Sequence, residues 1–80
     1  MNLFIYYIME RTKLKKGMRF YGGLFEIVDC FEDGNYAAAE FADENGRSSY
    51  SILKWQDDHW QVVDGLISDD YWEMKANGRI

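Results

Sequence analysis

Leu24–Trp55 reads LFEIVDCFEDGNYAAAEFADENGRSSYSILKW. Two pairs punctuate it, Asp33-Gly34 and Asn45-Gly46. Both are residue pairs that tolerate positive φ at the two central positions of a type I′ hairpin turn. They divide the stretch into three β-rich runs, Leu24–Glu32, Asn35–Ala42 and Arg47–Trp55. Alternation predicts Phe25, Ile27 and Phe31 on one face of the first run. In the third, Tyr50 and Ile52 oppose Leu53 and Trp55. Ala37-Ala38-Ala39 alone favours a helix. Turn pairs on both sides of this eight-residue run, Asn35–Ala42, predict a strand instead. Small side chains there let another element approach closely.

Outward from this stretch the signals continue. Gln56-Asp57-Asp58 is a third, weaker turn, leading into a strand over His59–Val63. Met18–Tyr21 reads as an earlier strand, turned by Gly22-Gly23. The tail Ser68–Ala76 has two readings. Asp70 and Glu73 stand at capping-box spacing, and Gly78 after Asn77 fits a helix C-terminus. A final strand over Tyr71–Lys75 competes, and the helix is preferred. Leu3–Met9 is apolar and reads as a strand. Alternatively Met9 is the natural start and residues 1–8 are an extension. The expectation is one domain over 1–80, with a β-meander over 10–64 and a helix over 68–77. Its class is all-β or β-dominated (α+β): about five antiparallel strands, curled because a flat meander leaves exposed edges.

Leu14–Asp29 (LKKGMRFYGGLFEIVD) resembles the opening of SH3-like small barrels, where a Lys/Gly turn leads into a strand, a Gly turn and a strand with a "fEIV" pattern. The resemblance covers about a fifth of the chain and implies a small barrel or half-barrel. The alanine-tyrosine-aspartate-tyrosine signature, the paired tryptophans and the ligand-groove proline of signalling SH3 domains are absent. Recognition of proline-rich peptides is therefore not carried over.

Charge is divided along the chain. Met1 to Arg19 holds Arg11, Lys13, Lys15, Lys16 and Arg19 against Glu10, net +4. Phe20 to Ile80 holds thirteen acids against Arg47, Lys54, Lys75 and Arg79, net −9. Five cations near the start could contact phosphates, but the remaining −9 repels a polyanion, so direct nucleic-acid binding is not expected. One Cys and one His exclude a disulfide framework and zinc spacing. Cys30 lies between Asp29 and Glu32 in sequence, which raises rather than lowers a thiol pKa. Leu3–Met9 is too short to cross a membrane and lacks the basic-first order of a signal peptide. A cytoplasmic chain with no cofactor and no metal is expected. No nucleophile elbow or phosphate loop occurs, so an enzyme is not expected.

Successive turns of a meander lie at alternate ends of the sheet. Glu32, Asp33, Asp57 and Asp58 should share one end, beside Trp55 and Trp60. Asp43, Glu44, Asp64, Asp69 and Asp70 should share the other. Glu32, Asp33, Trp55, Asp57, Asp58, Trp60, Asp69, Asp70 and Trp72 are the candidate partner-binding residues. Acidic turns ordinarily serve solubility. Beside aromatic anchors, they can also mimic nucleic-acid charge and occupy a basic protein surface. In size, acidity and aromatic content the chain is similar to the small inhibitors of phages and mobile elements, such as anti-CRISPR proteins. The alternative is an SH3-like adaptor that binds a peptide or protein through aromatic anchors. A homodimer through a sheet edge or the apolar N-terminal run is a further expectation.

Overall fold

The computed structural model describes residues 11–80. The expected strand over Leu3–Met9, or extension over 1–8, lies outside the described residues. Five strands form one antiparallel sheet in sequence order: β1 (Arg19–Phe20), β2 (Phe25–Asp33), β3 (Tyr36–Asp43), β4 (Ser48–Gln56) and β5 (His59–Leu66). The sheet curls into a half-barrel, compatible with the SH3-like resemblance. One helix follows, α1 (Ser68–Asn77). No helix among the described residues is long and apolar enough to cross a membrane.

Two of the tight turns differ in detail from the sequence expectation, and the third falls where it was expected. The β2–β3 loop is Gly34-Asn35, one residue later than Asp33-Gly34, with Asp33 paired to Tyr36. Gly34 stands at the first central position with φ 61°, where a type II′ turn requires glycine. Between β3 and β4 the Gly46 amide donates to the Asp43 carbonyl at 2.9 Å, and the Asp43 amide donates to the Arg47 carbonyl at 3.0 Å. The Asp43 carboxylate accepts from the Asn45 and Arg47 amides. This is a three-residue loop closed by a left-handed glycine, stabilised by an aspartate folding onto the backbone ahead of it. The weakest signal, Asp57-Asp58, makes the two-residue turn in which both central residues are left-handed, with φ 56° and 63°.

Two irregularities divide the side chains between the faces. β2 has an extra residue, Val28, between the pairs Ile27–Phe41 and Asp29–Glu40. β5 has an extra residue, Val63, between Asp64–Ile52 and Val62–Leu53. A bulge reverses the alternation downstream of it. Phe31 therefore does not join Phe25 and Ile27, as simple alternation predicts. It turns to the opposite face, where its ring meets Tyr71 edge-on at 5.7 Å.

The main core is built on the face of Phe25 and Ile27. Ile27, Ala37, Ala39, Phe41, Leu53 and Trp60 are buried there, with Leu14 entering from the segment that precedes β1. That segment runs as a strap across the sheet. The Gly17 amide donates to the Ile27 carbonyl, and the Ile27 amide to the Met18 carbonyl, both at 2.8 Å. The Trp60 indole Nε1 donates to the Thr12 carbonyl at 2.6 Å. Arg11 pairs with Glu32 at 3.0 Å and stacks over the Trp60 ring. The opposite face carries the rows Asp29–Glu40–Tyr50 and Phe31–Ala38–Ile52. All three alanines are fully buried. Their small side chains belong to both packed faces, which is why a strand can carry them.

α1 lies against this second face. It starts two residues before the expected capping box, after Ile67, and its N-cap makes no side-chain hydrogen bond. Asp69 and Asp70 instead occupy the first turn, where negative charge opposes the helix dipole. At the other end Gly78 adopts φ 67°. Its amide donates to Lys75 and the Arg79 amide to Met74, each at 3.1 Å. That pattern is a Schellman closure. A ten-residue helix is marginal alone, so packing must hold it.

Candidate protein-binding end

The meander places its loops at two ends, as the sequence implies. The first end holds the Asp33–Tyr36 and Gln56–His59 turns. The second holds the Tyr21–Leu24 turn, the Asp43–Arg47 turn and the junction of β5 with α1. Asp64 stands inside β5, opposite Ile52, and its carboxylate accepts from the Gly65 amide.

At the first end several candidates are engaged within the chain. Glu32 accepts from Arg11 and from the Leu14 amide at 2.9 Å. Arg11 also donates to the Gly34 carbonyl. Asp33 accepts from the Ile80 amide at 3.0 Å. Trp60 is core, only 6% exposed, and Trp55 packs edge-on against it at 5.6 Å. Asp57 and Asp58 are exposed at the tip of their turn. Cations also gather at this end: Arg11 on Glu32, and Lys54 over the Tyr36 ring.

The second end has a different character. Glu44, Asp69 and Asp70 are exposed and form no ion pair among the described residues. Large apolar side chains stand open beside them. Tyr21, Leu24 and Ile67 are 59%, 58% and 66% exposed, and Trp72, one turn into α1, is 46% exposed. Trp72 is held edge-on to Tyr71 at 4.9 Å and to Tyr50 at 6.4 Å. A shallow groove lies between the two turns, lined by Leu24, Glu26, Asp43 and Glu44 among others. Tyr21, Leu24 and Ile67 were not singled out by sequence reasoning. Their exposure depends on which turn residues the fold leaves uncovered, and no motif carries that.

Beneath the helix lies a polar cluster that sequence reasoning also missed. Asp29 accepts from the Tyr71 hydroxyl at 2.6 Å and from Lys75 Nζ at 2.7 and 2.6 Å on its two oxygens. Burial pushes the Asp29 carboxyl up, but the bonds from Lys75 and Tyr71 and the charges of Lys75 and Lys16 outweigh it. The carboxyl is held below its ordinary value. Burial and the Asp29 carboxylate push the Tyr71 hydroxyl far above its ordinary value. Burial, then Asp29 and Glu32, raise the Cys30 thiol, which makes it a poor nucleophile. The readable signal was an aspartate inside an apolar strand, with Tyr71 and Lys75 four residues apart on one helix face.

Among the described residues no group of three or more His, Cys, Asp or Glu is arranged to hold a metal ion. His59, the one histidine, sits on the first-end turn with Nδ1 2.9 Å from the Asp57 carbonyl oxygen. The second end can present charge and apolar surface together, which is the chemistry of a docking face. Compared with known proteins, the chain matches no family model, no curated protein and no solved structure.

Proposed function

We propose that this chain is a non-enzymatic, acidic protein-binding module that docks through the second end of its sheet. Its partner carries a basic, nucleic-acid-binding surface, and occupation of that surface inhibits the partner. An inhibitor of the anti-defence or anti-CRISPR type is the class this suits. One observation carries the reading. Asp69 and Asp70 are exposed beside Ile67 and Trp72 at one end, and the exposed Glu44 stands beside Leu24 on a turn at the same end. Acids there supply steering and exclusion of wrong partners, and the tryptophan supplies an anchor. The first-end acids Glu32 and Asp33 are bonded within the chain, so Asp57 and Asp58 form the smaller acidic surface.

The exposed Trp72 and Ile67 also suit the alternative, an adaptor held by apolar contacts. The two readings separate by salt and by charge reversal. The immobilised chain is exposed to nuclease-treated lysate of its source cell and eluted in salt steps. The mimic reading expects a basic protein released at moderate salt and lost from Asp69→Lys/Asp70→Lys. Retention through high salt, indifferent both to that reversal and to Asp57→Lys/Asp58→Lys, overturns it. Loss on Trp72→Ala alone then supports the adaptor.

A further inference from the structure

The Tyr21–Leu24 turn is built against local preference. Tyr21, Gly22 and Gly23 are three successive left-handed residues, with φ 55°, 68° and 90°. Glycine adopts this conformation freely, whereas a bulky side chain there is a genuine outlier. The tyrosine regains little by burial. It is 59% exposed and meets the Phe25 ring edge-on at 5.5 Å. Leu24, three residues on, is 58% exposed. The turn is nonetheless firmly held. The Gly23 amide donates to Phe20 at 3.2 Å and the Leu24 amide to Tyr21 at 3.3 Å. Arg19 clamps it from below, on the Gly23 carbonyl and on Glu26, each at 3.0 Å.

A strained position filled by a large, exposed aromatic contributes little to folding. Such outliers concentrate where a side chain must be presented. A rigid aromatic beside an exposed leucine also loses little freedom on binding, which favours affinity. We infer that the Tyr21–Leu24 turn is a preformed anchor that inserts into an apolar cleft on a protein partner, and that the cleft is rimmed by cations. The rim chemistry follows from charge complementarity. Glu26, Asp43 and Glu44 line the groove beside Leu24 against one cation, Arg19, and of these acids only Glu26 is ion-paired among the described residues, to that Arg19. The inference rests on docking at the second end and adds the residues that would enter the partner.

The test uses the full chain with Tyr21→Asn, Tyr21→Asn/Leu24→Ser and, separately, Asp69→Lys/Asp70→Lys. Asparagine tolerates the left-handed region, so the turn is kept. Thermal unfolding is measured first, then retention of the protein captured from nuclease-treated source-cell lysate. The anchor reading expects Tyr21→Asn to unfold at the same or a higher temperature. It also expects the double variant to bind the captured protein at least tenfold more weakly. A melting point lowered by several degrees in Tyr21→Asn makes the ring structural and overturns the anchor. So does retention within twofold of wild type by the double variant. If only the charge reversal loses the protein, the anchor is wrong and the acidic reading stands. If only Tyr21→Asn/Leu24→Ser loses it, the anchor stands and the acidic reading falls. If wild type retains nothing, both are overturned.

Discussion

The Tyr71 hydroxyl donates to Asp29 Oδ2 at 2.6 Å, joining the C-terminal helix to the second strand across 42 positions of sequence. Lys75 bonds both oxygens of the same carboxylate. Tyr71 is fully buried while α1 has no side-chain N-cap bond. Beside the packing of Tyr71 on Phe31 and Tyr50, the polar part of the helix's docking therefore turns on one aspartate. Asp29→Ala leaves a buried hydroxyl and an ammonium without their acceptor. The expected cost is about 2–3 kcal/mol, read as a lower urea midpoint, with loss of helical circular dichroism at lower denaturant than the sheet signal.

The same carboxylate sets the acid limb of stability. Its pKa is depressed in the fold, so its contribution is complete above the ordinary carboxylate range. It is lost as pH falls through the folded value. Tyr71 acts at the opposite limb. Its pKa is raised from an ordinary 10.0, so the unfolded chain ionises first and stability declines as pH rises above that value. Urea midpoints across pH should fall on both sides. Asp29→Asn should flatten the acid side, and Tyr71→Phe should flatten the alkaline side. An acid limb unchanged by Asp29→Asn would assign it to other carboxylates.

Leu53 is fully buried at the centre of the main core, opposite Ala37 and Val62. Leu53→Ala should cost about 2–5 kcal/mol through lost transfer energy and a cavity. In so small a domain that is a large part of the total. Thermal unfolding would check it, and a loss below about 1 kcal/mol would mean the half-barrel collapses around the gap.

The Asp57-Asp58 turn carries two left-handed residues that are not glycine. Asp58→Gly removes the steric cost at φ 63° and leaves the register of β4 and β5 unchanged. An increase of about 0.5–1 kcal/mol is expected. Gly34→Ala, at φ 61°, should have the opposite sign. Chemical denaturation of the pair of variants gives both signs in one experiment.

The sequence by itself determined the meander. Turn residues at Gly34, Gly46 and Asp57-Asp58 divide the chain into runs too short for anything but strands. Gly78 marks the helix end, because only the left-handed region closes that helix so tightly. Those are local effects, carried by neighbouring residues. The second end was legible only as a count of acids at alternating turns. The exposed Tyr21, Leu24 and Ile67 were not, because exposure depends on what the rest of the fold fails to cover. Only the tertiary structure decided which face Phe31 joins, since one extra residue, Val28, reverses the alternation beyond it. It alone decided that Glu32 and Asp33 are engaged by Arg11 and Ile80. It alone brought Asp29 to Tyr71 and Lys75. Each of these depends on two segments meeting in space, and no local pattern specifies the distance between them.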